Sequence, residues 1–336
     1  MKEKAFVLAT DPFDDTALPE LAGTQLHILP DLRSETYRPL MRRAHVFVVR
    51  SGAPVPRDIL DDSPNLLGLV RHGVGLDVVP MDAAKRLAVP VANTPGSNAQ
   101  SVAEYGMMVM GMLSRRLHIA DATLRQHGWN TAKARVGRAH DLSGKSVGIV
   151  GLGEVGSRLA RICHMGFGMQ VLGHQRRPNA LAEFVRPVTL EEIFERSDFV
   201  VLACPLTPET RRMVSQPRLR AMKPSAFLVN LARGELIDTD ALLAALDSGG
   251  IAGAALDVFD QEPLPPQHPF FASERLILTP HLAARTCESD MRTSAVAARQ
   301  VMQLLRGEAP QFLVNPSAWA ASASRRVAIL ERLAGS

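Results

Sequence analysis

A chain of 336 residues is long for one domain and comfortable for two, and 46% hydrophobic with 21% charged residues excludes a disordered or fibrous protein. The formal net charge of +4 comes from Lys and Arg dispersed along the chain, with no basic run interleaved with aromatics, which argues against a nucleic-acid partner and for small anionic ligands. Cys163, Cys204 and Cys287 are too few and too scattered for a disulfide framework or a zinc site, so no metal is expected and the thiols read as those of a reduced, cytoplasmic protein.

The first apolar run, AFVLA (5–9), ends at Asp11 and Pro12; it is too short for a signal-peptide core and predicts a strand. QLHIL (25–29), HVFVV (45–49), LLGLV (66–70) and VPVAN (89–93) continue the series. After residue 140 the rhythm returns in SVGIVG (146–151), MQVLG (169–173), DFVVLACP (198–205), AFLVNLA (226–232), GAALDVF (253–259) and LILTPH (276–281). Short β-branched runs separated by helix-length segments predict parallel sheets covered on both faces, twice over. No apolar stretch approaches the ~20 residues of a membrane span, so no membrane association is expected.

Between the two series, TPGSN (94–98) leads into a helical segment predicted to run to about Trp129, with Ser101 and Glu104 as a capping box at its start. It is apolar nearly all round from Gly106 to Leu113, which predicts burial in a core, between domains or against a second subunit. A further helix is predicted over 287–307, after which FLVNP and an Ala/Ser/Arg tail read as a loose terminus.

Gly151, Gly153 and Gly156 form G-x-G-x-x-G between an apolar strand and an amphipathic helix. The first glycine permits the tight turn, the second lets backbone approach a pyrophosphate, and the third lets helix pack closely on strand. The helix N-terminus offers N–H groups to phosphate, so the motif in this setting predicts a dinucleotide.

Three later segments place polar residues directly after strands: NLARGELID (230–238), LDVFDQEP (256–263) and LTPHLAART (278–286). In an open parallel sheet such positions belong at the ligand crevice, so Arg233, Asp257, Glu262 and His281 are expected to meet. Their types suit hydride transfer at an alcohol or ketone carbon. His281 can give and take the hydroxyl proton, Glu262 can fix its tautomer, and Arg233 offers a planar fork for a carboxylate.

These motifs in this order, together with RHGVGLDVVPMDAAKRLAVPVANTPGSNAQSVAE (71–104), resemble the D-isomer-specific 2-hydroxyacid dehydrogenase family over residues 45 to 316. The resemblance implies two doubly wound parallel-sheet α/β domains, a Rossmann nucleotide-binding domain inserted in a flavodoxin-like substrate domain. The boundaries expected are 1–99 plus 288–336 for the substrate domain and 100–287 for the nucleotide domain. The resemblance places the active site in the cleft between the domains, with hinges near 97–101 and 284–290. It also implies a homodimer formed through the helix that starts near Ser101.

Carried over residue by residue, the resemblance makes Arg233, Glu262 and His281 catalytic. The expected cofactor-binding set is Gly151, Gly153, Glu154, Val155 and Gly156, then Gln175, Arg176 and Arg177 after the second strand. Cys204, Pro205 and Thr210 follow in CPLTPETRRMV, and Leu231, Ala232, Asp257 and His281 complete it. The substrate carboxylate is expected at the loop His72, Gly73, Val74 and Gly75, with Arg233, Arg50 and Arg71 nearby.

An acid is expected roughly 20 residues after the first glycine to hold the cofactor ribose. The chain has HQRR (174–177) there and no acid before Glu183, and a guanidinium pairs with a 2′-phosphate where a carboxylate would repel it. The expectation is an NADP(H)-preferring oxidoreductase, with NAD possible, that interconverts a 2-keto acid of glyoxylate or hydroxypyruvate type and its D-2-hydroxy acid. The alternatives are an NAD-dependent phosphoglycerate dehydrogenase-like enzyme, for which no C-terminal regulatory domain follows, and a dinucleotide-sensing corepressor-like binding protein.

Overall fold

The computed structural model describes residues 4–50, 55–176 and 181–335. It divides into two compact units, one running to Asn98 and resuming at Arg285, the other covering Ala99–Ala284.

The first unit is built on a five-stranded parallel sheet of order β2-β1-β3-β4-β5. Its strands are β1 (Phe6–Ala9), β2 (Gln25–Ile28), β3 (Val46–Val49), β4 (Gly68–Arg71) and β5 (Val91–Ala92). Alternation along the strands splits the core in two. Phe6, Leu8, Phe47 and Val49 face one way, against Tyr37, Met41 and Leu60. Val7, Ala9, Val46 and Val48 face the other way, against Ala297, Val301 and Leu304 of the helix Cys287–Leu305. That helix begins where the Thr286 hydroxyl accepts the Ser289 N–H at 3.1 Å, and it lies close to the sheet because Gly68 has no side chain under Leu304.

The tail expected to be loose is instead two helices, Pro316–Ala321 and Ala323–Gly335. Ile329 is buried, and Leu330 and Leu333 pack with it against the second core face. The Arg326 guanidinium lies 3.4 Å from the centroid of Trp319, and Arg325 donates to the carbonyls of Leu87 and Ala88 at 2.7 and 2.6 Å. Alanines and arginines conceal this amphipathic face in the sequence because the arginines bury stems and satisfy backbone.

The second unit carries a seven-stranded parallel sheet of order β12-β11-β10-β9-β6-β7-β8. The strands are β6 (Ser146–Val150), β7 (Gln170–His174), β8 (Val185–Pro187), β9 (Phe199–Leu202), β10 (Phe227–Asn230), β11 (Gly253–Leu256) and β12 (Leu276–Leu278). β8 has no counterpart in the sequence reading: it is an edge strand in which only Val185 is buried, so it leaves no apolar run. The strand order reverses between β6 and β9, which makes their carboxyl ends a topological switch point.

The helix over Ala99–Arg115 corrects two expectations, its start and its extent. It starts before Ser101, so Ser101 lies buried in the first turn rather than at the cap, and Glu104 accepts instead from the Gln100 amide at 2.8 Å. Its apolar stretch from Gly106 to Leu113 is buried or half-buried as expected, with Met107, Val109, Met110 and Leu113 in the core beside Val147 and Ile149, except at Met108, which is 60% exposed. It also stops at Arg116, whose φ of 51° breaks the segment into separate helices Leu117–His127 and Trp129–Val136. The Arg116 guanidinium donates to the Val136 carbonyl at 3.1 Å, a long-range contact that no local signal announces. Among the described residues no helix is long and apolar enough to cross a membrane.

Candidate active site

The glycine loop follows β6 at the switch point. Gly151 takes a φ of +96°, and a Cβ on it would lie 2.7 Å from the Ala203 carbonyl oxygen at the end of β9. A Cβ on Gly156 would lie 2.0 Å from the Gly151 oxygen, so these two glycines are required by packing. Gly153 differs: a Cβ there meets nothing within 4 Å, and it precedes the helix Glu154–Arg161 without a side-chain cap. Open space beside uncapped helix N–H groups is what a pyrophosphate needs, so the loop fits a dinucleotide. Glu154 points outward and pairs with Arg158, one turn along, while Val155 packs against the core.

The remaining cofactor candidates stand at the ends of neighbouring strands. After β7, Gln175 is half-buried and Arg176 is exposed, its guanidinium 4.0 Å from Glu209; Arg177 lies outside the described residues. After β9, burial pushes the Cys204 thiol up to about 11, which keeps it protonated and argues against a nucleophilic role. The loop beyond is tied by Thr210, whose hydroxyl donates to the Pro205 carbonyl at 2.9 Å and accepts the Thr207 N–H at 2.8 Å.

Three turns bring the chemical groups together at the β10–β12 end of the sheet. After β10, the buried Asn230 amide donates to the Arg233 carbonyl at 2.8 Å and accepts the Ala232 N–H at 3.1 Å, which folds Leu231, Ala232 and Arg233 into a compact turn. Gly234 follows, where a Cβ would collide with the Phe259 carbonyl carbon at 1.9 Å. This backbone contact sets the Arg233 turn directly on the loop that carries Glu262. Arg233 is half-buried, and its charge acts on Glu262.

Glu262 Oε1 accepts the Phe259 N–H at 3.0 Å, and Oε2 lies 2.7 Å from His281 Nδ1. Partial burial raises its pKa, but the bonds from His281 and Phe259 and the charges of His281 and Arg233 outweigh that and hold it below the ordinary carboxylate range. Asp257, 2% exposed, accepts from the Thr279 hydroxyl at 2.6 Å and from the N–H groups of Leu282 and Ala283 at 2.9 Å each. Burial raises its pKa against those donors. His281 takes a left-handed φ of 51°, and its N–H donates to the Asp257 carbonyl at 2.8 Å. Arg233, Asp257, Glu262 and His281 are thus gathered on adjoining turns. Asn230 and Thr279, whose side chains shape those turns, were not among the expected residues, although both stand at strand ends next to them.

In the first unit, the loop after β4 turns its carbonyls inward. Arg71 donates to the carbonyls of Gly75 (2.8 Å), His72 (3.0 Å) and Val49 (3.2 Å); Thr94 N–H reaches Gly73 and the Asn93 amide reaches Val74. The N–H groups of Val74 and Gly75 have no acceptor among the described residues. His72 is buried, stacks on Phe13 and contacts the Ser294 hydroxyl at 3.1 Å; burial and the charges of Arg50 and Arg71 bring it down to about 3. Arg50 is paired with Asp290 and donates to the Pro12 carbonyl at 3.2 Å.

Known proteins resemble this chain in sequence and fold. Residues 107–283 match the family described as D-isomer specific 2-hydroxyacid dehydrogenase, NAD binding domain. A glyoxylate reductase of Thermofilum pendens is 37% identical over 266 residues, covering 78% of each chain. A D-3-phosphoglycerate dehydrogenase of Methanocaldococcus jannaschii is 35% identical over 314 residues; the match takes in 92% of this chain but only 59% of that protein's length. Among solved structures, the NADPH-dependent glyoxylate/hydroxypyruvate reductase of Sinorhizobium meliloti, in complex with NADP and malonate, aligns with a TM-score of 0.81 at 27% identity, covering 93% of this chain and 97% of that one. The chain belongs to the D-isomer specific 2-hydroxyacid dehydrogenases, a family of NAD(P)-dependent oxidoreductases.

Proposed function

We propose that the protein is an NADP(H)-preferring oxidoreductase that interconverts a 2-keto acid of the glyoxylate or hydroxypyruvate type and its D-2-hydroxy acid. The observation that carries this reading is the His281–Glu262 pair, 2.7 Å apart, beside Arg233. A bound nicotinamide supplies the hydride donor or acceptor. His281 Nδ1 faces Glu262, so Nε2 is the nitrogen that hands a proton to the carbonyl oxygen on reduction and removes it on oxidation. Glu262 holds the tautomer and balances the imidazolium, while Arg233 takes the substrate carboxylate. In the first unit, the N–H groups of Val74 and Gly75 offer donors to the same class of anion.

Gly151, Gly153 and Gly156 would hold the pyrophosphate, and Arg176 would meet a 2′-phosphate. The absence of an acid between 174 and 182 and the NADP bound by the Sinorhizobium meliloti relative support this preference. Three free thiols support a cytoplasmic setting. A homodimer is supported by the apolar side chains that one segment leaves exposed: Met108, Leu117, Leu124 and Trp129 at 60%, 52%, 44% and 72%.

A phosphoglycerate-oxidising activity is the second reading, favoured by the likeness to the Methanocaldococcus jannaschii protein. Initial rates with NADPH and NADH on glyoxylate, hydroxypyruvate and phosphohydroxypyruvate separate the two. Faster NADPH turnover of the unphosphorylated acids is expected; NADH preference with phosphohydroxypyruvate would favour the second reading. No turnover on any of them would remove the enzymatic proposal.

A further inference from the structure

We infer that Tyr105 is a positioning residue for His281, acting through Thr279 and Asp257. The inference rests on the role of His281 given under Proposed function. The residues around His281 hang from Asp257. Its carboxylate accepts from Thr279 on one side of the histidine and from the N–H groups of Leu282 and Ala283 on the other, while its carbonyl accepts the histidine's own N–H. A carboxylate has no hydrogen to give. The Thr279 hydroxyl therefore spends its one hydrogen on Asp257 Oδ1, at 2.6 Å, and is left with lone pairs. One of these receives the Tyr105 hydroxyl at 2.5 Å. The direction of the chain is fixed from end to end: Tyr105 donates to Thr279, and Thr279 to Asp257.

Tyr105 is suited to a permanent donor. It is 8% exposed, and burial pushes its phenol up to about 12. It projects from the helix Ala99–Arg115, which is anchored in the core by Val102, Met107 and Met110. The next residue, Gly106, packs so closely on Leu231 that a Cβ would come within 2.7 Å of its Cδ1. Two consecutive residues of one rigid helix thus touch the turns that carry His281 and Arg233. A hydroxyl here does more than fill a gap. Without it the Thr279 oxygen loses its donor, and the side chain that clamps Asp257 is free to rotate.

The test is Tyr105→Phe, which keeps the ring and removes only the hydroxyl, read beside Thr279→Val and Thr279→Ser in the full chain. Steady-state turnover of glyoxylate with NADPH yields kcat and KM, fluorescence titration yields NADPH affinity, and amide hydrogen exchange at residues 281–283 reports the turn. Tyr105→Phe is expected to lower kcat about tenfold, the loss of one buried hydrogen bond, with a smaller change in NADPH affinity and faster exchange at 281–283. Thr279→Val is expected to match it, Thr279→Ser to stay near wild type, and the double variant Tyr105→Phe with Thr279→Val to fall little below either single. Wild-type kcat in Tyr105→Phe, unchanged exchange, or fully additive losses would overturn the inference. If the wild type reduces no 2-keto acid, the functional reading falls on that result alone, and exchange still decides the link: faster exchange in Tyr105→Phe supports it, unchanged exchange overturns it.

Discussion

His281 Nδ1 and Glu262 Oε2 lie 2.7 Å apart, and the other Glu262 oxygen is held by the Phe259 N–H at 3.0 Å. The carboxylate is therefore pinned at both oxygens and orients the ring rather than swinging against it. His281→Ala is expected to lower kcat by about 10²-fold or more while NADPH binding is kept. Glu262→Gln, which retains the shape and loses the charge, is expected to cost less, about tenfold. Single-turnover rates and fluorescence titration check both; a wild-type rate in His281→Ala would exclude the histidine from proton transfer.

The same pair has a consequence for stability. Glu262 has a folded-state pKa below its unfolded value, so its contribution is present above the unfolded pKa of ~4.3 and is lost as pH falls through the lower, folded value. Thermal unfolding of wild type and Glu262→Gln between pH 3 and pH 7 is expected to show the wild type ahead at neutral pH, with the gap closing in the acid range. A gap that widens on acidification would contradict the assignment.

Gly234 has no room for a methyl group, since its Cβ would overlap the Phe259–Asp260 peptide. Gly234→Ala must push the Arg233 turn away from the Glu262 loop. A loss of about 1–3 kcal/mol is expected from overpacking, together with a fall in activity out of proportion to it. Urea unfolding and kcat/KM measured on the same preparation give both quantities. Equal activity with lower stability would show that the two turns need not be in register.

The C-terminal helix can be probed without touching the candidate site. Ile329 is 1% exposed in the core face shared with Val7, Val46 and Val301. Ile329→Ala is expected to destabilise the first unit by about 2–5 kcal/mol. Exposed Val327, two positions earlier, is expected to tolerate alanine within ~0.5 kcal/mol. Denaturation midpoints of the two variants make the comparison, and equal midpoints would mean that the helix does not dock in solution.

What the sequence determined by itself is what local chemistry determines. Apolar runs between helix-length segments marked all but one of the described strands, because most of them are buried on both faces and need continuous apolar residues; the edge strand β2 is largely exposed. The glycine spacing marked the loop after β6, where Gly151 and Gly156 answer short-range steric demands and Gly153 leaves open space. Arg233, Asp257, Glu262 and His281 were legible because they stand on loops that leave strands of a parallel sheet. The features that only tertiary structure decided depend on partners far away in the chain. Arg116 breaks its helix where it reaches the Val136 carbonyl, β8 exists because β7 offers it an edge, and the terminal helix folds because residues 87–88 accept hydrogen bonds from Arg325. Likewise the hydroxyl of Tyr105 finds Thr279 across 174 residues. Sequence spacing carries the repeat of a strand or the turn of a loop; it does not carry a hydrogen bond whose partners meet only after the sheet has assembled.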